Sequence, residues 1–197
     1  MIVKINNDWK DVKNTCRTTV NKDHTDNEPS DKFKHDILIT EHSPIRLISI
    51  RFIFKGIKSW VATHFSRHKW ECFISTNRSD RIGKDRGTLS QDSPVNLDGE
   101  ANAQALIDTS RKRLCFEAST ETRREWEQLK KDIFKAGEEE LSNCLVPNGI
   151  YRGGCPEVFS KCTYCVDLLE KLDNNKRYDL KEKNKVYNES FWSRKGE

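Results

Sequence analysis

The segment from Ile45 to Phe54 constrains the fold most. Ile48, Ile50, Phe52 and Phe54 alternate with Leu47, Ser49, Arg51 and Ile53. A period of two in β-branched and aromatic residues predicts a strand. Lys55-Gly56 marks its expected end, and Ser59 is placed to cap a helix. In that helix Trp60, Val61, His64, Phe65 and His68 share one side at three- and four-residue intervals, the pattern of a face turned to a core. A strand followed by an amphipathic helix points to an α/β domain.

The flanking sequence extends the pattern. A short strand is expected at Met1–Ile5, then a helix over residues 8–18 that buries Trp9, Val12 and Cys16. Residues 19–31 are polar and include Pro29, so they read as a loop. Ser30 or Asp31 can cap a helix that runs to about Thr40, with Phe33, Ile37 and Leu38 on one side. Glu41-His42-Ser43-Pro44 breaks that helix. Cys72-Phe73-Ile74 suggests a short strand, and Gly83 to Asn96 reads as a long loop. Helical structure is expected from near Gly99-Glu100, with Ala103, Leu106, Ile107, Leu114, Cys115 and Ala118 as its stripe. A second helical stretch, Thr122 to Phe134, turns Trp126, Leu129, Ile133 and Phe134 inward, and Ala136-Gly137 ends it. Glu138 to Cys144 adds a turn or two before Pro147. Gly149, Gly153, Gly154 and Pro156 mark irregular chain, and Val158 to Leu172 reads as a helix. The expected organisation is one domain over residues 1–172 and a polar tail over 173–197, in which Phe191 and Trp192 are the groups able to dock.

Charge narrows the partners. The chain has 197 residues, with 35 Lys and Arg against 31 Asp and Glu, for a net charge of +4. That balance permits an anionic ligand and disfavours a dedicated nucleic-acid binder. Trp60, Phe65, Trp70 and Phe73 are the groups that could stack bases, but the helical spacing assigns Trp60 and Phe65 to a core. No apolar run reaches the length of a membrane span. Lys4 and Lys10 interrupt what would be the apolar part of a signal peptide, so a cytoplasmic location is expected.

Two clusters carry chemistry. Arg67, His68, Lys69, Arg78, Ser79 and Arg81 suit phosphate, through charge-assisted hydrogen bonds; a solvated basic face beside a buried tryptophan is the plainer reading. Seven cysteines without a secretion signal argue against a disulfide framework. Cys144, Cys155, Cys162 and Cys165 include one Cys-x2-Cys pair and could hold a structural zinc. Buried free thiols are the preferred reading, with no metal expected, and an iron–sulfur cluster is the third alternative.

The order of these segments resembles the flavin-dependent thymidylate synthase family. His42-Ser43-Pro44 stands before the strand, Arg67-His68-Lys69 matches an Arg-His-Arg opening, and Ser79-Asp80-Arg81-Ile82 matches a Ser-x-Arg-Tyr ending. Trp126, Leu129, Gly137, Glu140, Val146-Pro147 and Tyr151 continue the series. The departures are Lys69 for arginine, Asn77 for glutamate, Ile82 for tyrosine, and Ser142-Asn143 where the family has Ala-Arg. A late family helix is imitated by Asn102–Leu106 with Arg113 and Glu121, but out of order.

The resemblance implies a single α/β domain with a mostly antiparallel sheet and packed helices, assembled as a homotetramer with shared sites. It implies FAD, with reduced nicotinamide and methylenetetrahydrofolate as co-substrates, and transfer of a one-carbon unit to C5 of deoxyuridine monophosphate (dUMP). Arg67, His68, Lys69, His42 and Ser43 become cofactor-binding candidates. Ser79, Arg81, Arg78 and Arg152 become nucleotide-binding candidates, with Arg111 or Arg113 as substitutes for the missing arginine. No protein nucleophile is required. Two alternatives remain: a flavoenzyme modifying a pyrimidine nucleotide at C5 with another outcome, and a non-catalytic binding or assembly protein on the same scaffold.

Overall fold

A computed structural model describes residues 1–158 and 179–193. Four strands form an antiparallel sheet in the order β1-β2-β4-β3. They are β1 (Ile2–Asn6), β2 (Ser49–Lys58), β3 (Glu71–Ile74) and β4 (Pro94–Asn102). The long central strand is real, but it begins at Ser49, because Pro44 starts a 3-10 turn over Ser43–Leu47. It also runs past its expected end. Between Phe54 and Ile57 the register with β4 shifts by one residue. Gly56 takes φ +66° there, and its amide donates to Asn96 Oδ1 at 2.9 Å. Such a bulge absorbs the extra residue and lets pairing resume.

Strand β4 corrects the expected loop over Gly83–Asn96 and the expected helix start near Gly99. Val95, Leu97, Gly99 and Ala101 are buried, opposite Ile57, Phe54, Phe52 and Ile50. Two of those four carry little or no apolar side chain, which weakens the period-two signal. Gly99 is required by packing: a Cβ there would lie 2.5 Å from the Trp70 ring and 2.9 Å from that of Phe52. The inner face of the sheet thus meets one aromatic cluster, in which Phe52, Phe54, Phe65, Trp70 and Trp126 have ring centroids 4.9–6.3 Å apart.

Helices cover this face and the sheet's ends. They are α1 (Trp9–Thr18), α2 (Asp31–Ile39), α3 (Ser59–Phe65), α4 (Ser79–Ile82), α5 (Ala103–Arg113), α6 (Thr120–Lys135), α7 (Glu139–Cys144), α8 (Asn148–Arg152) and α9 (Leu180–Ser193). Short polar side chains set several starts by accepting amide hydrogen bonds: Asp8 from Asp11, Ser30 from Phe33, and Asn102 from Ala105. Ser59 does not cap α3 but is its first residue, and Lys58 occupies the cap. In α6, Trp126, Leu129 and Ile133 are buried as expected, and Trp126 Nε1 donates to Ser110 Oγ at 2.8 Å. Phe134 is a correction: it is 48% exposed.

Within the stretch read as a polar tail, α9 packs on α7 and α8. Val186 and Tyr187 are buried, and the Tyr187 hydroxyl donates to Glu127 Oε2 at 2.6 Å. Lys130 donates to the Ser142 and Leu145 carbonyls, both at 2.8 Å, and to Asn184 Oδ1 at 2.6 Å. This buried ammonium ties α6, α7 and α9 together. No helix among the described residues is long and apolar enough to cross a membrane.

Candidate functional site

His68 follows α3 in a turn, and α5 delivers Arg111, Lys112 and Arg113 from its last turn. These two pieces meet. Arg113 Nε donates to His68 Nε2 at 2.7 Å, and its Nη2 donates to the His64 carbonyl at 2.7 Å. Burial, with help from the Arg113 and Lys112 charges, pushes the His68 imidazole down to about 4. The ring is therefore neutral near pH 7. Burial and the nearby Arg67 charge also lower Arg113 from the ordinary arginine value, yet a guanidinium remains a donor only.

A cleft of about 280 Å³ opens beside this pair. His68, Arg111, Lys112, Arg113, Asn148 and Cys155 line it, together with Cys115, Glu117 and Glu157 among others. Arg111 of this lining is tied across the chain by Glu41, which has a left-handed backbone at φ +52°. The Glu41 carboxylate accepts from Arg111 Nη2, from the Tyr151 hydroxyl, and from Gln104 Nε2 at 2.6 Å. The Arg111 guanidinium also lies 3.8 Å from the centroid of the Tyr151 ring. Burial opposes ionisation of Glu41, but the hydrogen bonds from Tyr151 and Gln104 and the Arg111 charge outweigh it, so the carboxyl stays below its ordinary value. Burial and the Glu41 contact push Tyr151 up to about 12.

The other candidates lie elsewhere. Arg67 and Lys69 flank His68 and are exposed, outside the lining of the cleft. His42 and Ser43 line a separate groove of about 540 Å³ between α1 and α2, with Cys16, Phe33, Ile37 and Pro44. Arg78, Ser79 and Arg81 stand on the exposed α4 turn. There Arg78 forms a two-pronged pair with Asp80, at 3.0 and 2.9 Å. Ser79 Oγ accepts from the Arg86 amide at 3.0 Å, and Arg81 Nε lies 3.8 Å from Asp80. Arg152 ends α8 and is exposed.

The sequence singled out His68, and named Arg113 only as a substitute for the missing arginine, not as the partner of His68. Glu41 and Gln104 were missed, since Glu41 meets Gln104, Arg111 and Tyr151 across 63, 70 and 110 positions and no local spacing announces such contacts. Among the described residues no group of three or more His, Cys, Asp and Glu could hold a metal. Cys144 is buried in α7, its thiol raised by burial, and Cys155 lines the cleft. Cys162 and Cys165, and the expected helix over Val158–Leu172 beyond its first residue, lie outside the described residues.

No protein-family model matches the chain, and no curated protein matches its sequence. Solved structures do resemble it. A flavin-dependent thymidylate synthase ThyX from Helicobacter pylori, complexed with FAD and dUMP, superposes with a TM-score of 0.60 at 11% identity, over 73% of this chain and 98% of that one. The UMP/dUMP methylase PolB from Streptomyces cacaoi, bound with 5-Br dUMP, gives a TM-score of 0.57 at 14% identity, over 74% and 95%. The chain has a ThyX-like fold. At such identity the likeness speaks for the architecture: an antiparallel sheet with packed helices.

Proposed function

We propose that this chain is a flavin-dependent enzyme of pyrimidine nucleotide modification, transferring a one-carbon unit to C5 of dUMP. The observation that carries the reading is the His68–Arg113 cleft on a ThyX-like fold. A neutral imidazole stands there among three cationic side chains, a donor set that fits the anionic portion of a flavin or nucleotide. At about 280 Å³ its volume lies just below the range of small-molecule sites, about 300–1,000 Å³. One copy therefore suits a phosphate-bearing portion of FAD rather than the entire dinucleotide, which supports shared sites in a homotetramer.

A bound flavin would supply the hydride chemistry; the protein binds, orients and sets the electrostatics. His68 is the proposed flavin contact, with Arg67 and Lys69 at the rim. Arg113 and Arg111 replace the arginine missing from the later motif. Arg78, Ser79, Arg81 and Arg152 would reach a nucleotide at the edge of the site or across a subunit contact, and His42 and Ser43 would act from their separate groove. Reduced nicotinamide and methylenetetrahydrofolate complete the proposed reaction.

Two observations favour the alternatives. The PolB likeness extends the fold to a methylase of UMP as well as dUMP, which supports altered specificity. The self-paired Arg78–Asp80 turn supports a scaffold that has lost part of its nucleotide contacts. Purified protein mixed with FAD and passed through gel filtration tests all three. Retained flavin absorbance, with oxidation of the reduced flavin that depends on folate and dUMP, supports the synthase. Retained flavin with a product mass other than the methylated nucleotide supports altered specificity. No retained flavin after saturating addition leaves the non-catalytic protein.

A further inference from the structure

We propose that Arg113 is the positioning residue of the cleft, fixing His68 as the Nδ1-protonated tautomer so that the ring offers a ligand one hydrogen-bond donor. The warrant is the direction of a single bond. A guanidinium has N–H groups and no acceptor, so the 2.7 Å contact from Arg113 Nε requires a lone pair on His68 Nε2. A neutral imidazole with its lone pair on Nε2 carries its proton on Nδ1. The second anchor, from Arg113 Nη2 to the His64 carbonyl at 2.7 Å, holds the guanidinium plane in register with the ring. The bond at Nε2 is the one hydrogen bond of the ring among the described residues, and His68 lines the cleft, so the Nδ1 N–H is the donor left for a ligand.

The surrounding charge reinforces this state. Arg113 and Lys112 face His68 from α5, and Arg67 acts on Arg113 from the neighbouring turn. His64, on α3, is itself held low by burial and by Arg113 and Arg67. Across the cleft stand Arg111, Glu117 and Glu157, with the thiols of Cys115 and Cys155. A carboxylate touching the imidazole would favour the imidazolium; the hydrogen-bond partner here is a cation, which opposes it. His68 thus acts as a neutral donor to a carbonyl, ring-nitrogen or phosphoryl oxygen acceptor. That consequence for a ligand rests on the reading above, whereas the tautomer does not.

Long-range proton–nitrogen correlation spectra of 15N-labelled full-length protein, with His68→Gln used to assign the signal, test both. The expected spectrum shows His68 protonated at Nδ1 and unchanged from about pH 8 to about pH 5. In Arg113→Met the ring should become a tautomer mixture and titrate higher than in wild type, though still below the ordinary value of 6.5 because burial and Lys112 remain, and Arg113→Lys should recover part of the shift. A wild-type ring protonated at Nε2, or one that titrates near 6.5, overturns the proposal even if Arg113→Met fails to fold. So does an Arg113→Met spectrum identical to wild type. Adding dUMP, and separately FAD, then moves the His68 Nδ1 signal if the functional reading holds. A correct tautomer that neither ligand perturbs leaves Arg113 in its role and removes those ligands from the cleft.

Discussion

The His68 cleft and the Arg78–Arg81 turn carry similar groups and use them differently. In the turn, the partners of Arg78 and Ser79 lie two and seven positions away. In the cleft, His68 meets Arg113 across 45 positions, and Arg111 meets Glu41 across 70. Local pairs form as soon as the chain turns, and they occupy the charge that a ligand would need. Distant pairs exist only when the whole fold is assembled, and they leave a concave, half-buried space between them. Cationic residues near one another in sequence are therefore a weaker sign of an anion site than cationic residues that the fold has to bring together.

The largest effect should come from the long tie between Glu41 and the cleft residue Arg111. Glu41→Ala takes the half-buried carboxylate from the Arg111 guanidinium and leaves it only the exposed Asp108, at 3.1 Å, as an ion-pair partner among the described residues, which costs about 3 kcal/mol, below the full penalty of a wholly buried pair. Urea unfolding at neutral pH measures it. The pH dependence has a definite sign. The Glu41 carboxyl is depressed in the folded state, so its contribution is present above the ordinary value of 4.5 and is lost as pH falls through the folded value. The gap between wild type and Glu41→Gln should shrink as the pH is lowered into that range. An equal gap at both ends would show that the network is held by packing alone.

Arg113→Met should come next. Losing the Arg113 charge beside the cleft and its hold on the His68 donor should cost an anionic ligand about 2 kcal/mol, or roughly 30-fold in affinity. Titration calorimetry with dUMP is the measurement. An affinity unchanged by the substitution would make the cleft no different from the turn.

The same contrast explains what could be read from the sequence. Strand β2 was legible because Ile50, Phe52 and Phe54 are large and alternate; β4 was not, because Gly99 and Ala101 are small, and Gly99 has to be so to leave room for Trp70 and Phe52. Helix α9 was hidden among polar residues, since its buried face rests on Lys183, Val186 and Tyr187, and one of the three is a lysine whose ammonium donates to the Tyr151 carbonyl at 2.7 Å. Phe134 misled in the other direction: it continues the α6 apolar pattern but faces solvent. At the site, His68 stood out through a motif and Arg113 as a substitute arginine, while Glu41 owes its place to tertiary contacts alone.

Gly99→Ala tests whether the cleft depends on the aromatic core. The added methyl group would press on Trp70, two residues beyond His68, and overpacking of this kind costs about 1.5 kcal/mol. Thermal unfolding reports the cost. The sharper readout is dUMP affinity, which should weaken as Trp70 shifts the His68 turn, while the hydrogen bonds of α4 stay as they are.

The smallest effect is expected from the turn itself. Arg78 and Asp80 are exposed, with side chains 64% and 57% accessible, and exposed pairs of this kind contribute about 0.5 kcal/mol or less. Arg78→Met with Arg81→Met should leave unfolding almost unchanged. If the turn is a self-satisfied structural feature, the double variant should also bind dUMP within about twofold of wild type. A loss comparable with that of Arg113→Met would mean that Arg78 leaves Asp80 when a ligand arrives, trading a local partner for a phosphate. Asp80→Asn separates the two cases. Releasing Arg78 from its carboxylate should tighten nucleotide binding if the pair competes with the ligand, and should change nothing if the turn never meets it.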